Sequence, residues 1–262
     1  MYRTVNIERI ENALKATPSL SDIAAVISKA ERLERLTLEE VALLLNGGSE
    51  LFDELLFAKA RQVKATIYGK RLVLFAPLYV SSICANDCSY CGFRSSNKEV
   101  VRRRLTPEEI GRETTALLAT GQRRVLLVSG ESCTEKDFQY ILDAIKAVYS
   151  VHDGAGGIRR LNVNIAPLTT DQFRRLKEHN IGTYQIFQES YHPQTYARHH
   201  LRGPKKDYSY RLDTIDRAFT AGIDDVGVGV LLGLYDYRWE LLALMDHIEH
   251  LEEHFGMGFH TI

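Results

Sequence analysis

From residue 71 onward the chain alternates five times between a short apolar run and an amphipathic stretch, and this repeat decides which folds are open to it. Leu72 to Val80, Val125 to Val128, Leu161 to Ile165, Thr183 to Phe187 and Val226 to Leu232 read as strands from their length and apolar, β-branched content. Thr106-Pro107-Glu108-Glu109 opens a helix that closes near Gly121, with threonine as cap and proline in the first turn. Phe138 to Val148, Asp171 to His179, Tyr208 to Ala221 and Trp239 to Phe255 read as the remaining helices, and a sixth strand begins at Phe259-His260-Thr261-Ile262. Strand–helix units in series predict a parallel sheet wrapped by helices. A closed eightfold barrel takes about 250 residues; the 192 residues after residue 70 predict an α/β fold that is a partial or truncated (β/α) barrel. In such folds chemistry collects on the loops that leave the C-terminal ends of the strands.

Residues 1–70 carry a different pattern and are read as an N-terminal helical extension, with residues 71–262 as the barrel. Ile7, Ile10 and Leu14, then Ile23, Val26 and Ile27, recur at helical spacing. Thr37 and Glu40 form a capping box ahead of Val41 to Leu45, and Gly47-Gly48 ends that helix.

A formal net charge of −1 gives no bulk attraction to nucleic acid or to an anionic membrane. The one basic triplet, Arg102-Arg103-Arg104, reads as a solvated flank. No apolar stretch approaches the roughly 20 residues of a bilayer span, and Met1-Tyr2-Arg3-Thr4-Val5 lacks an apolar signal region, so the expected location is the cytoplasm.

Three of the four cysteines fall within eight residues, as Cys84-x3-Cys88-x2-Cys91, on the loop that follows the first strand. Thiols this close suit a metal centre better than disulfides. Structural zinc wants four closed ligands, commonly from two paired elbows, whereas the remaining cysteine, Cys133, has no such partner. Three thiolates can instead hold three irons of a [4Fe–4S] cubane and leave the fourth iron open for a chelating amine and carboxylate.

This motif, with Tyr90 before its last cysteine and its place on the first loop of a partial barrel, resembles the signature of the radical S-adenosylmethionine (SAM) enzymes. The resemblance implies that Cys84, Cys88 and Cys91 bind the cluster and that Tyr90 lies near the adenine of SAM. Gly130-Glu131, at the end of the second strand, matches a Gly-Glu motif whose backbone receives the methionine amino group. Glu189, with Gln188, ends the fourth strand, where relatives such as biotin synthase place an acidic residue on the ribose hydroxyls. Arg211 matches an arginine that pairs the methionine carboxylate; read on its own it is a surface helix arginine. The family chemistry is reductive cleavage of SAM to a 5′-deoxyadenosyl radical that abstracts hydrogen from a substrate, with flavodoxin or ferredoxin as electron donor.

Longer stretches, among them Leu74-Phe75-Ala76-Pro77-Leu78-Tyr79, His199-His200-Leu201, Gly203-Pro204-Lys205 and Gly233-Leu234-Tyr235-Asp236-Tyr237-Arg238, resemble the tyrosine lyases of [FeFe]-hydrogenase maturation. That likeness implies cleavage of L-tyrosine to p-cresol and dehydroglycine, the source of carbon monoxide and cyanide, and other hydrogenase maturases as partners. It also implies a longer enzyme with a second, C-terminal cluster, of which this chain is a fragment. The alternatives are a thiazole-pathway tyrosine lyase, a biotin-synthase-like maturase, and an iron–sulfur scaffold without catalysis.

Gly227, Gly229 and Gly233 have the wrong spacing for a dinucleotide fingerprint and lie within a strand, where small residues would let the adenine approach. His247, His250 and His254 read as the solvated face of the last helix. His260 would sit at the N-terminal end of the barrel, where residues serve stability. As a candidate catalytic group it would contact a tyrosine fragment passing through the barrel.

Overall fold

The computed structural model describes residues 5–48, 50–132 and 134–262. Cys133, which the motif spacing leaves out of the cluster, falls outside the described residues.

Two compact units are present, one of residues 5–73 with 232–257 and one of residues 74–231 with 258–262. The first contains α1 (Ile7–Leu14), α2 (Leu20–Glu31), α3 (Leu38–Leu45) and α4 (Glu50–Tyr68). Thr37 and Glu40 make the capping box expected of them: the threonine hydroxyl takes the Glu40 N–H and the glutamate returns to the Thr37 N–H.

The second unit is the barrel portion. Its strands are β1 (Ala76–Ser81), β2 (Arg124–Ser129), β3 (Arg160–Asn164), β4 (Tyr184–Glu189) and β5 (Val226–Val230), all parallel and laid down in sequence order. The helices between them are α5 (Pro107–Ala119), α6 (Glu135–Tyr149), α7 (Thr170–Lys177), α8 (Pro193–His199), α9 (Tyr208–Leu212) and α10 (Thr214–Thr220). Burial alternates along β3 with period two: Leu161 and Val163 are fully buried while Arg160, Asn162 and Asn164 are half-buried. The segment at Thr261 adds a parallel bridge to Gly227, with Val228 N–H donating to the Thr261 carbonyl, where a sixth strand was expected.

The first strand begins at Ala76 rather than Leu72, and Leu72 to Phe75 are exposed. Pairing decides this: the first partner across the sheet is Val125, opposite Ala76, so earlier residues have no neighbouring strand to bond. The expected helix from Tyr208 to Ala221 is two helices, because the backbone leaves helical geometry at Asp213, a residue type that favours caps over helix interiors.

The last helix, α11 (Tyr237–Phe255), belongs to the unit of the N-terminal helices. Glu249 takes a hydrogen bond from Arg9 Nη1 at 2.6 Å and another from the Leu38 N–H at 3.0 Å, which ties α11 to α1 and α3. The reading of its histidines as one solvated face is corrected here. His247 is 2% exposed, because it continues the buried stripe of Glu240, Leu244 and Leu251; of the three only His254 is exposed. Among the described residues no helix is long and apolar enough to cross a membrane.

Candidate cofactor site

Ser81 ends β1, and the chain enters a long loop, residues 82–105, that carries the three cysteines. The loop is held from both sides by close backbone approaches that only glycine permits. At Gly130 a Cβ would lie 2.4 Å from the Ile83 carbonyl oxygen; at Gly203, where φ is +90°, it would lie 2.5 Å from the Ala85 carbonyl. The Gly130 N–H bonds the Ser81 carbonyl at 2.8 Å, and the Ala85 N–H bonds the Glu131 carbonyl at 2.9 Å. Asp87 and Cys88 pair antiparallel with residues 200–202, beyond α8.

The expectation that Arg102-Arg103-Arg104 is a solvated flank fails for two of its three members. Arg102 stitches the loop shut: Nη1 donates to the carbonyls of Ser82 (2.8 Å) and Phe93 (2.9 Å), Nη2 to those of Arg94 (2.6 Å) and Asn97 (3.3 Å). A planar guanidinium with five N–H groups is suited to gathering carbonyls in this way. Arg104 pairs with Asp137 and lies over the Tyr140 ring, 4.5 Å from its centroid. Arg103 remains exposed.

Cys84, Cys88 and Cys91 line one cavity of about 430 Å³, together with Tyr90, Gly130, Glu131, Asn164, Glu189 and Lys205. The cavity is large enough for a cofactor-sized molecule. Among the described residues no three His, Cys, Asp or Glu side chains close round a single metal ion. A cubane does not ask for that, since each thiolate meets its own iron. Burial pushes the Cys88 thiol up to about 11, so its thiolate form calls for the positive charge of bound iron.

Beside the cysteines lies a set of four charges, two of them buried (Arg211, Lys205) and two half-buried (Glu131, Glu189). Arg211 Nη1 and Nη2 grip Glu131 at 2.9 and 3.0 Å, and Nε donates to the Phe187 carbonyl at 2.8 Å. Lys205 Nζ donates to Glu131 Oε1 at 3.2 Å and to Glu189 Oε1 at 2.7 Å. Burial alone would raise the Glu131 carboxyl, but Arg211 and Lys205 outweigh it and hold the group down to about 2. Arg211 is thus no surface residue: it is 3% exposed, and its fork grips Glu131. Gln188 is buried outside the cavity lining, its Nε2 without a hydrogen-bond partner among the described residues.

Tyr90 is held from its hydroxyl end. His200 Nδ1 donates to the Tyr196 carbonyl at 2.8 Å, which leaves Nε2 to accept from the Tyr90 O–H at 2.8 Å. Burial lowers His200 to about 4, so the ring is neutral and this arrangement persists at physiological pH. The glycines of β5 have a steric role: a Cβ at Gly229 would press on Phe187 at 3.0 Å, and one at Gly227 on Gln185 at 3.1 Å. His260 lies at the opposite strand ends, its N–H on the Val226 carbonyl and its Nδ1 3.2 Å from Asp225 Oδ1, with the side chain 66% exposed.

Sequence reasoning gave no role to Asn86, Lys205, His200 or Tyr196, although His200 and Lys205 stand in stretches that carry the resemblance. A lysine on a Gly-Pro-Lys turn and an asparagine between cysteines give no periodic signal, and lysine is seldom buried. The Gly130 contact makes a direct prediction. Gly130→Ala should displace the cysteine loop at a cost of about 1–3 kcal/mol, and iron and sulfide retained after reconstitution should fall sharply while the far-ultraviolet spectrum is kept. Normal cluster content would show that the loop can yield.

The family model of the radical SAM superfamily matches residues 78–248. The chain belongs to the radical SAM superfamily, whose members use a [4Fe–4S] cluster and SAM. Within it, the chain resembles a solved structure of HydG, a maturase of the [FeFe]-hydrogenase, at 47% identity and a TM-score of 0.95, covering 98% of this chain and 57% of that one. HydG from Carboxydothermus hydrogenoformans gives 46% identity and a TM-score of 0.88, covering 97% and 59%. The 2-iminoacetate synthase of Escherichia coli (strain K12) is 33% identical over 91% of this chain and 62% of its own length. The chain therefore spans about three fifths of the length of these relatives.

Proposed function

We propose that this chain is the SAM-cleaving part of a tyrosine lyase of [FeFe]-hydrogenase maturation. The observation that carries this is the meeting of three motif cysteines with Glu131, Glu189 and Lys205 in one cavity at the C-terminal strand ends, in a chain 47% identical to a HydG structure. In this reading Cys84, Cys88 and Cys91 ligate the cluster. Gly130 and Glu131 offer backbone to the methionine amino group, Glu189 takes the ribose hydroxyls, and Tyr90 lies beside the adenine. Arg211 acts through Glu131, which it orients.

Bound together, cluster and SAM supply a 5′-deoxyadenosyl radical that removes a hydrogen atom from the substrate. With L-tyrosine as substrate the products are p-cresol and dehydroglycine, which is 2-iminoacetate, the compound named in the Escherichia coli relative. Carbon monoxide and cyanide formation would need a second cluster; outside the motif the chain has only Cys133, so these residues supply no ligand set for one. A flavodoxin or ferredoxin as donor, contact with other maturases and a cytoplasmic setting belong to the same reading, since cluster thiols need a reducing compartment. His260, remote from the cavity, is given no step.

Anaerobic reconstitution with iron, sulfide, SAM, reductant and tyrosine tests it. The expected product is p-cresol together with 5′-deoxyadenosine. Deoxyadenosine without p-cresol overturns tyrosine as the substrate of these residues.

A further inference from the structure

The geometry assigns Lys205 as the positioning residue for the nucleoside end of this site: by bridging Glu131 and Glu189 it holds Glu189 with one carboxylate oxygen left for the ribose hydroxyls of SAM. The inference rests on the SAM reading above and adds a residue that reading does not use.

Lys205 is 8% exposed and lines the cavity. Its backbone is pinned from two directions: the N–H donates to Asn86 Oδ1 at 2.8 Å, and the carbonyl accepts the Tyr196 hydroxyl. The ammonium therefore enters the cavity wall from a stiff base. Glu189 follows a bulge at the end of β4 and has φ +69°, a left-handed conformation that non-glycine residues seldom hold without outside support. Lys205 gives that support at 2.7 Å; the other cation, Arg211, stands 4.0 Å from the same oxygen and is engaged with Glu131.

Two cations and two carboxylates make the set neutral, so the lysine charge is matched within the protein and not left over for an anionic ligand. What remains open is an acceptor. Glu189 Oε2 has no hydrogen-bond partner among the described residues, in a residue that lines the cavity. A carboxylate oxygen fixed in this way suits a vicinal diol.

The test uses the full chain reconstituted with its cluster. SAM, 5′-methylthioadenosine and 2′-deoxy-5′-methylthioadenosine are titrated by equilibrium dialysis against the wild-type chain and Lys205→Met, which keeps the length and removes the charge. The thioadenosines carry adenine and sugar without the methionine carboxylate. Lys205→Met is expected to bind SAM and 5′-methylthioadenosine about tenfold more weakly, the scale of one charge-assisted hydrogen bond, and to lose the preference for the ribose over the deoxyribose compound. Weakening confined to SAM would mean that Lys205 meets the methionine carboxylate itself, and a retained ribose preference would mean that Glu189 needs no lysine; either overturns the assignment. Should Lys205→Met fail to hold a cluster, Lys205→Gln, which keeps a donor and removes the charge, carries the decision: it must lose the same preference, and a retained preference overturns the assignment. A wild-type chain that binds neither SAM nor 5′-methylthioadenosine overturns the cofactor reading itself.

Discussion

Cys88→Ala is expected to leave the chain without a stable [4Fe–4S] cluster and without SAM cleavage, and Cys84→Ala and Cys91→Ala should do the same. The reason is ligand count. Three thiols line the cavity, the motif leaves one iron open, and loss of any thiolate exposes a second iron to solvent and chelation. Cys88 is the most telling of the three because it is buried and sits on the pairing with residues 200–202, so no water or external thiol takes its place easily. Cys133→Ala, outside the motif, is the control and should keep both cluster and cleavage. Iron and acid-labile sulfide per chain, with 5′-deoxyadenosine as the second readout, check this. A full cluster on Cys88→Ala would sink the assignment of these cysteines.

The second large effect belongs to Arg211→Ala. It removes both hydrogen bonds that Arg211 gives Glu131 and leaves a buried carboxylate facing Lys205 and Asn86 alone. Stripping one partner from a buried pair costs roughly 3–5 kcal/mol, so thermal unfolding of the cluster-loaded chain should move to clearly lower temperature. SAM should bind about tenfold to a hundredfold more weakly, because the site it enters is no longer held.

The pH dependence has a definite sign. In the wild-type chain Glu131 is held at about 2 against an ordinary 4.5, so its contribution is complete above 4.5 and is lost as pH falls toward 2. Without Arg211, burial pushes the carboxyl upward. The variant should then be less stable at neutral pH and lose less on acidification across that window. Melting curves between neutral pH and the acid limit decide it; coincident curves, with unchanged SAM affinity, would return Arg211 to a passive role.

Much of the architecture was legible because it rests on local periodicity. The five apolar runs became five strands in order, and the capping residues Thr37 and Thr106 marked helix starts that the structure keeps. The cysteine spacing singled out the loop after the first strand because three close thiols have few structural uses, and the structure brings all three to one cavity. Pairing and burial were less visible. Leu72 to Phe75 look like strand, but nothing lies opposite them to complete the hydrogen bonds. Arg102 was read as part of a short charged run and His247 from a helical flank away from the apolar stripe, while their surroundings consist of loop carbonyls in one case and a buried helical stripe in the other. Lys205 and Asn86 meet each other and Glu131 across 45 or more residues of chain, a relation that no window of sequence contains.

Asn86 stands between two of the cysteines and reaches two ways at once. Its amide oxygen takes the Lys205 N–H at 2.8 Å, and its amide nitrogen donates to Glu131 Oε2 at 3.3 Å. Substitutions at these three positions will accordingly show epistasis. Once Asn86→Ala has freed the lysine backbone and loosened the glutamate, a further change at Lys205 or Glu131 removes interactions already weakened, and the double variant falls short of the sum of its parts. Genetically the trio behaves as one locus of function, and a library that varies its members one at a time would overstate what each contributes alone.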